Sequence, residues 1–550
     1  MRPPEFNSYR SAVFGTGGMV ATSQPLATAA GLEILAKGGN AADACLAAAA
    51  ALNVTEPCST GLGGDMFALF YDAQTCQVTA LNGSGRAPAA LTLERLQREG
   101  LNPNLPPLHP YTVTVPGACA GWFDLHERHG TLSMSDILAP AIHLAEKGFP
   151  VAPLTAYFWQ RGAERQLRQA WNGQELTIAG RGPNPGEMFR NPGLARTLRT
   201  IAEGGKQAFY QGEIAQAIVH ALQQAGGCMT LEDLASHVST WETPASVSFG
   251  NFRVYECPPN GQGITALLAL NILEGFDVGA YPALSVERLH LEIEALRLAF
   301  ADARRYVADY AMKSDAPSDE TQQSNWEWLL SKDYAAQRRK QINPQRASLD
   351  QQAGRPFSSS DTVYVCAVDK WGNACSFINS NYMGFGTGIV PKGWGFSLQN
   401  RGHNFSLEPH HPNCLAPRKR PYHTIIPGLI TRESDGSLFG PFGVMGGFMQ
   451  PQGHVQVGLA LMLDGLDPQS ALNLPRFCLE DGQPSDAVAL EEGIPVPVMA
   501  ALAEMGHPVR PTSGWSRAIF GRGQVIVREP SGILIGGSDP RADGCAMTLV

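Results

Sequence analysis

The sequence has no paired cysteine motif, no long basic run and no long apolar run. Its eleven cysteines stand singly without a Cys-x-x-Cys pair, so we expect free thiols and a reducing, cytoplasmic compartment. No stretch reaches the roughly 18 apolar residues of a membrane span. The opening residues, MRPPEFNSYRSAVFGTGG, lack the apolar core of a signal peptide. A net charge of -9 argues against nucleic acid as the main partner.

The chain has 550 residues, of which 44% are hydrophobic, so it can bury a large core or form a few tightly joined lobes. Apolar periodicity predicts both helices and strands, with Asn40 capping one early helix. The predicted helices cover 25–37, 40–52, 134–147, 213–225, 264–274, 285–307 and 453–463. The predicted strands cover 66–71, 77–81, a hairpin at 362–380, 424–430, 438–444, 523–528 and 533–537.

A boundary lies near residue 361. Much of segment 311–361 is poor in apolar residues and rich in Ser, Gln, Asp and Pro, so we expect part of it to be a polar, flexible tail. Thr362 directly follows and begins a run of β-forming residues. A cut before Thr362 would place its new amine beside its own hydroxyl, and a threonine nucleophile needs such a base.

The hairpin after the boundary has a register that the sequence predicts. If 369–373 forms the loop, Val368 faces Ala374 and Thr362 lies opposite Ser380. The second hydroxyl could then hold or polarise the first. The alternative is an ordinary cross-strand Thr/Ser pair, which sheets contain often.

Gly446 and Gly447 follow a predicted strand. Two successive glycine amides at a sharp turn can hold a developing oxyanion, although a glycine turn needed only for tight packing is an alternative. Three histidines lie near Glu408, at positions 403, 410 and 411, but their spacing matches no metal motif. We therefore expect loop histidines there and no metal site.

Several segments resemble, in the same order along the chain, signatures of the gamma-glutamyltranspeptidase family. They are 38–44 (GGNAADA), 61–65 (GLGGD), 258–263 (PPNGQG), 362–369 (TVYVCAVD), 385–388 (FGTG) and 538–541 (SDPR). The resemblance covers nearly the whole chain. It implies an N-terminal-nucleophile hydrolase with an α+β fold, the four-layer αββα sandwich.

The resemblance also implies a precursor that cuts itself between Asp361 and Thr362. A large fragment, 1–361, and a small fragment, 362–550, would stay together as one αββα unit, which could form a homo-oligomer. Thr362 would then attack an amide carbonyl, with its free amine as the base. Neither a cofactor nor a metal is required by this chemistry.

Three further positions match the family's catalytic machinery. Gly446 and Gly447 match its oxyanion glycines. Ser380 matches its second threonine, in agreement with the hairpin register.

The substrate-binding positions depart from the family's pattern. The arginine that holds the glutamyl α-carboxylate falls on Ser84, with Arg86 two residues later. The acidic residue that receives the α-amino group falls on Asn404. A hydroxyl cannot replace a bidentate arginine–carboxylate contact, so both changes favour a substrate other than an ordinary γ-glutamyl amino acid.

Other pocket positions also change. The family's asparagine after the second hydroxyl falls on Tyr382, next to Asn381, and its paired serines fall on His423 and Thr424. Arg401 falls in the family's pocket segment. It is either a new carboxylate clamp or a structural arginine.

We therefore predict a self-processing threonine amidohydrolase acting on a small carboxylate-bearing amide. The family default is γ-glutamyl hydrolysis or transfer, as with glutathione. The rivals are an oxamate-type amidohydrolase, which the Tyr-His-Thr segment at 422–424 resembles, and a glutaryl acylase. An uncut precursor serving as a binding protein is the alternative from another class.

Overall fold

A computed structural model describes residues 10–310, 326–349, 362–480, 482 and 487–550. The predicted cleavage-site residue Asp361 lies outside the described residues, as does most of the predicted polar tail. The described part of that tail, 326–349, contains a helix. The division into fragments 1–361 and 362–550 stays a prediction.

The described residues contain strands in most parts of the chain. The strands are β1 (Val13–Gly15), β2 (Gly18–Thr22), β3 (Asp65–Asp72), β4 (Gln77–Gly83), β5 (Phe149–Pro150), β6 (Met188–Phe189), β7 (Thr240–Glu242), β8 (Ala245–Phe249), β9 (Phe252–Glu256), β10 (Val363–Asp369), β11 (Ala374–Ser380), β12 (Gly428–Arg432), β13 (Leu438–Met445), β14 (Phe477–Leu479), β15 (Val488–Glu491), β16 (Val509–Thr512), β17 (Arg522–Arg528), β18 (Leu534–Ser538) and β19 (Cys545–Thr548).

Helices alternate with these strands. They are α1 (Pro25–Ala36), α2 (Ala41–Thr55), α3 (Leu93–Arg98), α4 (Ala118–His129), α5 (Met134–Lys147), α6 (Pro153–Gly162), α7 (Pro192–Tyr210), α8 (Glu213–Gln224), α9 (Leu231–Ala235), α10 (Gly263–Leu273), α11 (Val286–Tyr306), α12 (Lys332–Arg339), α13 (Met449–Met462), α14 (Pro468–Asn473) and α15 (Val496–Glu504). Within the described residues, no helix is both long and apolar enough to span a membrane.

Two large sheets form the centre of the molecule. In the part of the chain that the structure describes, one sheet has the order β1-β18-β17-β13-β12-β9-β8 and the other the order β19-β2-β10-β11-β3-β4-β7. Helices α10 and α13 pack on the first sheet, and α1 and α2 pack on the second. The predicted α+β sandwich with four layers, αββα, is therefore confirmed.

Strand β10 shows why the sandwich has three apolar layers. Side chains alternate between the two faces of a strand. Val363, Val365 and Ala367 belong to the core that the second sheet shares with α1 and α2. Tyr364 and Cys366 belong to the core between the sheets. The strand is buried on both faces, so its sequence is apolar without alternation.

Helix α2 is an alanine-rich helix that lies entirely in the core. The predicted cap at its start is confirmed. The Asn40 side chain accepts hydrogen bonds from the amides of Ala42 and Asp43, and Asp43 accepts from the Asn40 amide. Small side chains allow the helix to pack closely against β10 and β11.

One helix and one strand begin at residues other than those predicted from the sequence. Helix α13 starts at Met449 and not at 453, because Pro451 is tolerated in a first turn, where its missing amide needs no partner. Strand β12 starts at Gly428 and not at 424, because Pro427 cannot donate to a sheet ladder. Thr424 consequently lies in a loop, where its side chain is free to take part in a site.

Candidate active site

Thr362 and Ser380 form a buried hydroxyl pair. The hairpin pairs Val363 with Asn379 and Val368 with Ala374, which is the predicted register. The Thr362 hydroxyl donates to Ser380 Oγ at 3.0 Å. Both side chains are fully buried. The amide of Tyr382 also donates to Ser380 Oγ, at 2.9 Å, so the serine oxygen is held from two sides.

Gly446 and Gly447 form the sharp turn between β13 and α13. Their φ angles are 135° and 62°, a region that favours glycine. Neither amide donates a hydrogen bond to a described residue. The turn leads directly into the N-terminus of a 14-residue helix, which carries partial positive charge. Two glycine amides and a helix start are thus available to a negatively charged oxygen.

A continuous series of contacts joins the glycine turn to the hydroxyl pair. Gln262 Nε2 donates to the carbonyls of Gly447, at 2.9 Å, and Thr424, at 2.7 Å. Arg401 Nη1 donates to Thr424 Oγ1 at 2.6 Å. The Arg401 guanidinium lies 4.5 Å from the centre of the Tyr382 ring. Since Tyr382 contacts Ser380, these contacts bring Thr424, Arg401 and the glycine turn close to the Thr362–Ser380 hydroxyl pair.

Arg401 is a fully buried cation with donors to spare. Its Nε and Nη2 groups have no hydrogen-bond partner among the described residues. Burial lowers the pKa of Arg401 to about 10, while the Asp65 carboxylate and Tyr382 act in the opposite direction. The side chain therefore stays charged at neutral pH, and an incoming anion would satisfy it.

His423 is held by Asp65 behind Arg401. His423 Nε2 lies 3.0 Å from Asp65 Oδ2. Burial and the neighbouring Arg401 lower the pKa of His423 to about 3, against the effect of the Asp65 hydrogen bond. Burial would raise the pKa of Asp65, but His423 and Arg401 together bring it below its usual value. The pair is a neutral imidazole hydrogen-bonded to a carboxylate.

Asn381 and Asn404 supply neutral polar groups. Asn381 Nδ2 donates to Ser397 Oγ at 3.2 Å, while its Oδ1 is buried and accepts no hydrogen bond from the described part of the chain. Both polar atoms of the Asn404 side chain are buried and make no hydrogen bond with the described residues. An unpaired buried amide loses free energy of hydration, so Asn404 is available to a ligand.

Two cavities reach the segment that contains the glycine turn. The Asn404 cavity, about 460 Å³, is lined by Gly402, Asn404 and Phe448 among others. The Trp515 cavity, about 760 Å³, is lined by Gly446, Trp515 and several aromatic and basic side chains. Pro107 lines both. Gly446 thus lines one cavity and Phe448, two residues later, lines the other.

The cluster of His403, His410, His411 and Glu408 brings no metal site together. Among the described residues, no group of three or more His, Cys, Asp or Glu side chains has the arrangement to hold an ion. His403 and His411 line the Asn404 cavity, and Glu408 lies exposed at its edge.

A sequence profile described as gamma-glutamyltranspeptidase matches residues 27–549. The chain belongs to the gamma-glutamyltranspeptidase family. It is therefore an enzyme, an N-terminal-nucleophile hydrolase or acyltransferase, and the alternative of a non-catalytic binding protein is wrong.

Members of the family resemble this chain over nearly its full length. The Glutathione hydrolase-like YwrD proenzyme of Bacillus subtilis is 36% identical, covering 98% of this chain and 99% of its own. The Oxamate amidohydrolase proenzyme of Klebsiella pneumoniae is 34% identical, covering 96% and 98%. The crystal structure of a cephalosporin acylase from Bacillus halodurans has a TM-score of 0.89 and 44% identity, covering 99% and 98%.

In this member of the gamma-glutamyltranspeptidase family, Ser84 lies at the position that the resemblance assigns to the arginine that holds the glutamyl α-carboxylate. The Ser84 carbonyl accepts a hydrogen bond from Arg420 Nε at 3.0 Å. Arg86 Nη1 forms an ion pair with Asp309 at 3.1 Å. Both arginines have protein acceptors, whereas Arg401 keeps two unpartnered groups. The structure thus groups Arg401, and not Arg86, with Thr424 and Tyr382.

Two residues that hold the site together by hydrogen bonds, Asp65 and Gln262, were not predicted as site residues from the sequence. Asp65 receives the amides of Gly85 and Gly117 as well as His423. Gln262 joins Thr424 to Gly447. Both lie in glycine-containing segments that resemble family signatures, 61–65 and 258–263, so a polar residue within such a motif was the available signal.

Proposed function

We propose that this enzyme is a self-cleaving threonine amidohydrolase. Its substrate would be a small amide whose acyl half carries a carboxylate and no ammonium group. The single observation that carries the proposal is the buried Arg401 guanidinium, with two unpartnered groups, joined through Tyr382 to the Thr362–Ser380 hydroxyl pair.

Thr362 is the proposed nucleophile. Its hydroxyl lies at the N-terminal end of β10 and is oriented by Ser380. The Bacillus subtilis and Klebsiella pneumoniae relatives are named as proenzymes, which supports cleavage of this chain as well. Attack of the Thr362 hydroxyl on the Asp361 carbonyl, with breakage of the Asp361–Thr362 carbon–nitrogen bond, would give an ester and free the Thr362 amine. Hydrolysis of the ester would then restore the hydroxyl and release the preceding fragment as a carboxylic acid.

Turnover then uses the same hydroxyl. The freed amine accepts the hydroxyl proton while Thr362 Oγ1 attacks the substrate carbonyl, and the amides of Gly446 and Gly447 hold the resulting oxyanion. The carbon–nitrogen bond breaks and the proton passes to the leaving nitrogen. Water next attacks the ester of Thr362, releasing the carboxylic acid and restoring the hydroxyl.

Arg401 is the proposed carboxylate clamp. Nε and Nη2 can donate to one anion while Nη1 stays on Thr424. Hydrogen bonds between charged groups contribute more than those between neutral groups. In this proposal, Asn381 and Tyr382 line the acyl site, and His423 positions Arg401 through Asp65.

The acyl half is proposed to lack an ammonium group because, among the described residues, the site offers no buried carboxylate that is not already hydrogen-bonded. Asn404, at the family's acidic position, is neutral. Asp65 already accepts hydrogen bonds from Gly85, Gly117 and His423. Glu408, a carboxylate that lines the Asn404 cavity, is exposed. This favours the oxamate-type and glutaryl alternatives over γ-glutamyl hydrolysis.

A matched substrate pair tests the proposal. γ-Glutamyl-4-nitroanilide and glutaryl-4-nitroanilide differ only in the α-amino group, and oxalyl-4-nitroanilide adds a short acyl group. We expect kcat/KM for the better desamino anilide to exceed that for the γ-glutamyl anilide by at least about tenfold, since an unpaired buried ammonium is costly.

Thr362→Ala is the control and should release no nitroaniline from any of the three. A γ-glutamyl anilide that is cleaved as well as the glutaryl anilide would overturn the assignment of the acyl half and restore the family default. Turnover by the Thr362→Ala variant would overturn the mechanism itself.

A further inference from the structure

We propose that Gln262 is a positioning residue for the reaction at Thr362, and that Tyr422 fixes the orientation of the Gln262 amide. Gln262 would hold the glycine turn in the conformation that directs the amides of Gly446 and Gly447 at the oxyanion. The inference rests on the proposed function, because it takes those two amides to hold the oxyanion. It adds two residues that act on the reaction through the turn.

The glycine turn has little stiffness of its own. Glycine lacks a Cβ and populates more backbone conformations than other residues, so rotation of the peptide planes around Gly446 and Gly447 costs little free energy. Such a rotation would turn an N–H donor away from the developing oxyanion. An oxyanion site acts through donors that are in place before the reaction begins. The turn therefore needs contacts from outside itself.

Both carbonyls of the turn accept hydrogen bonds. The Gly446 carbonyl accepts from the Met449 amide at 3.1 Å. The Gly447 carbonyl accepts from the Gln450 amide at 3.2 Å, and both of these donors belong to the first turn of α13. The Gly447 carbonyl also accepts from Gln262 Nε2 at 2.9 Å. Because Gln262 directly precedes α10, it fixes the Gly447 peptide from a different part of the fold.

Hydrogen bonds at both ends of the Gln262 side-chain amide determine its orientation. Nε2 donates to the carbonyls of Thr424, at 2.7 Å, and Gly447. The Tyr422 hydroxyl donates to Oε1 at 3.0 Å. The reversed amide would place Oε1 against two carbonyl oxygens, with no donor between them. Gln262 and Tyr422 are both buried, in surroundings where hydrogen bonds are stronger than in water.

The backbone of Gln262 is held by the same segment that meets Arg401. The Gln262 amide donates to the His423 carbonyl at 2.9 Å. Arg401 Nη1 donates to the hydroxyl of the next residue, Thr424. Gln262 therefore holds the glycine turn at a fixed place relative to the proposed carboxylate clamp.

Gln452 offers a matched comparison for Gln262. It is also a fully buried glutamine, and its Nε2 donates to the carbonyls of Phe448 and Leu479, each at 2.9 Å. Replacing either glutamine by methionine removes two hydrogen bonds to buried carbonyls, so the losses of stability should be similar. The carbonyls that Gln452 holds lie outside the glycine turn.

A boronic acid tests the positioning role. 4-Boronobutanoic acid carries the glutaryl chain with boron in place of the scissile carbonyl carbon. The Thr362 hydroxyl oxygen adds to the trigonal boron and its proton passes to the freed Thr362 amine, so a tetrahedral, negatively charged boronate forms. One boronate oxygen then occupies the place of the oxyanion. Such transition-state analogues depend on the oxyanion donors, whereas glutarate, the released acid, forms no tetrahedral centre.

We expect Gln262→Met to raise the Ki of 4-boronobutanoic acid by at least about tenfold more than the Ki of glutarate. The kcat for glutaryl-4-nitroanilide should fall by a similar factor. Gln452→Met should lower the melting temperature as Gln262→Met does and leave the ratio of the two Ki values unchanged. An unchanged ratio in Gln262→Met would overturn the inference, and so would an equal change in Gln452→Met.

Tyr422→Phe is the milder variant. It keeps the donors of Gln262 and removes the hydroxyl that orients its amide, so the ratio of the two Ki values should rise by a smaller factor, about threefold. If Gln262→Met does not fold, Tyr422→Phe decides, and an unchanged ratio in that variant would overturn the inference.

Hydrogen exchange separates this inference from the proposed function. The amides of Met449 and Gln450 donate to the carbonyls of the turn, so loss of Gln262 should speed their exchange, measured by mass spectrometry on peptides spanning 446–452. If their exchange rises but the wild type neither hydrolyses the anilide nor binds the boronic acid, the proposed function is wrong and Gln262 still holds the turn. If the wild type hydrolyses the anilide and Gln262→Met changes neither exchange nor the ratio, only the positioning role is wrong.

Discussion

Arg401 owes its proposed role to its buried position more than to its charge. The guanidinium is withdrawn from solvent and packs over Tyr382, with one group on Thr424 and two without a partner. A charge in such a place is costly unless an anion pairs with it. In the proposed function, the enzyme would gain binding free energy for an acidic substrate from a cation that is already desolvated.

Replacing Arg401 should separate binding from processing. We expect Arg401→Gln to raise KM for an acidic amide on the order of 10- to 100-fold, the loss of one or two charge-assisted hydrogen bonds. Cleavage before Thr362 should continue, since Arg401 does not touch that hydroxyl. Steady-state kinetics and fragment masses measure the two effects, and thermal melting checks that the variant is folded.

Arg86→Gln is the comparison for that experiment. Arg86 is already paired with Asp309, so its removal should change KM by less than about threefold. A large rise in KM for Arg86→Gln, or an unchanged KM for Arg401→Gln, would show that the carboxylate is held elsewhere.

The backbone of Tyr382 has a conformation that few residues other than glycine adopt. Its φ is 78°, in the left-handed region that costs free energy for residues other than glycine. Strained residues of this kind persist where the surroundings hold them and are common at functional sites. Here the strained backbone turns the Tyr382 amide onto Ser380 and its ring under Arg401.

At the scale of elements, local pattern was enough for the hairpin. Asp369 and Asn373 close the loop, and the period of two then fixes every pair back to Thr362 and Ser380. The same holds for α2, where Asn40 and Asp43 form a capping box that the sequence predicts from residue types alone.

Local pattern was not enough at the start of α13. Pro451 and Gly453 look like residues of a turn, yet the helix begins at Met449 because it is docked against β13. The consequence is functional, since the glycine turn at 446–447 becomes the N-terminus of a helix. Tertiary packing overrides local propensity at this element.

The contacts of the proposed pocket could not be predicted from spacing. Arg401 meets Thr424, and Gln262 meets both Thr424 and Gly447, across separations of 23 to 185 residues. Periodicity describes faces of elements and gives no distance between loops. The resemblance to the family indicates which segments contribute to the site. Only the folded chain shows which hydrogen-bond donors of the site have no partner among the described residues.

At the scale of the whole molecule, the sandwich keeps several histidines neutral. Burial lowers the pKa values of His237, His423 and His507 to about 3, with additional effects of nearby arginines. In the unfolded chain a histidine titrates near 6.5. The unfolded state therefore takes up protons below about pH 6.5 that the folded state does not accept.

These histidines should consequently destabilise the fold in acid. Glu292 and Glu294 act in the opposite direction over the same range, because burial raises their pKa values to about 7 and the folded state takes up their protons first. The contribution of each histidine is fully present above pH 6.5 and is lost as the pH falls towards 3. Between pH 7.5 and pH 5.0 the loss is about 2 kcal/mol per histidine. Scanning calorimetry of the Thr362→Ala chain at pH 7.5 and pH 5.0, with and without a histidine substitution, isolates the contribution of one histidine.

His237→Gln is the informative variant for acid stability. Both ring nitrogens of His237 are buried without a partner among the described residues, so the substitution removes the titration without breaking a hydrogen bond. Relative to the parent chain, His237→Gln should gain melting temperature at pH 5.0 compared with pH 7.5, while the exposed control His220→Gln should show no such gain. The same change of melting temperature with pH in all three proteins would contradict this account.

The central claim concerns the molecule as two fragments around one threonine. Intact-mass spectrometry of the freshly purified protein under denaturing conditions, beside Thr362→Ala, tests it most directly. The account predicts two masses for the wild type, for 1–361 and 362–550, whose sum exceeds that of the uncut chain by one water, and one mass for the variant. A wild type that remains a single chain of 58.9 kDa, or a Thr362→Ala protein that is cut at the same bond, would contradict it.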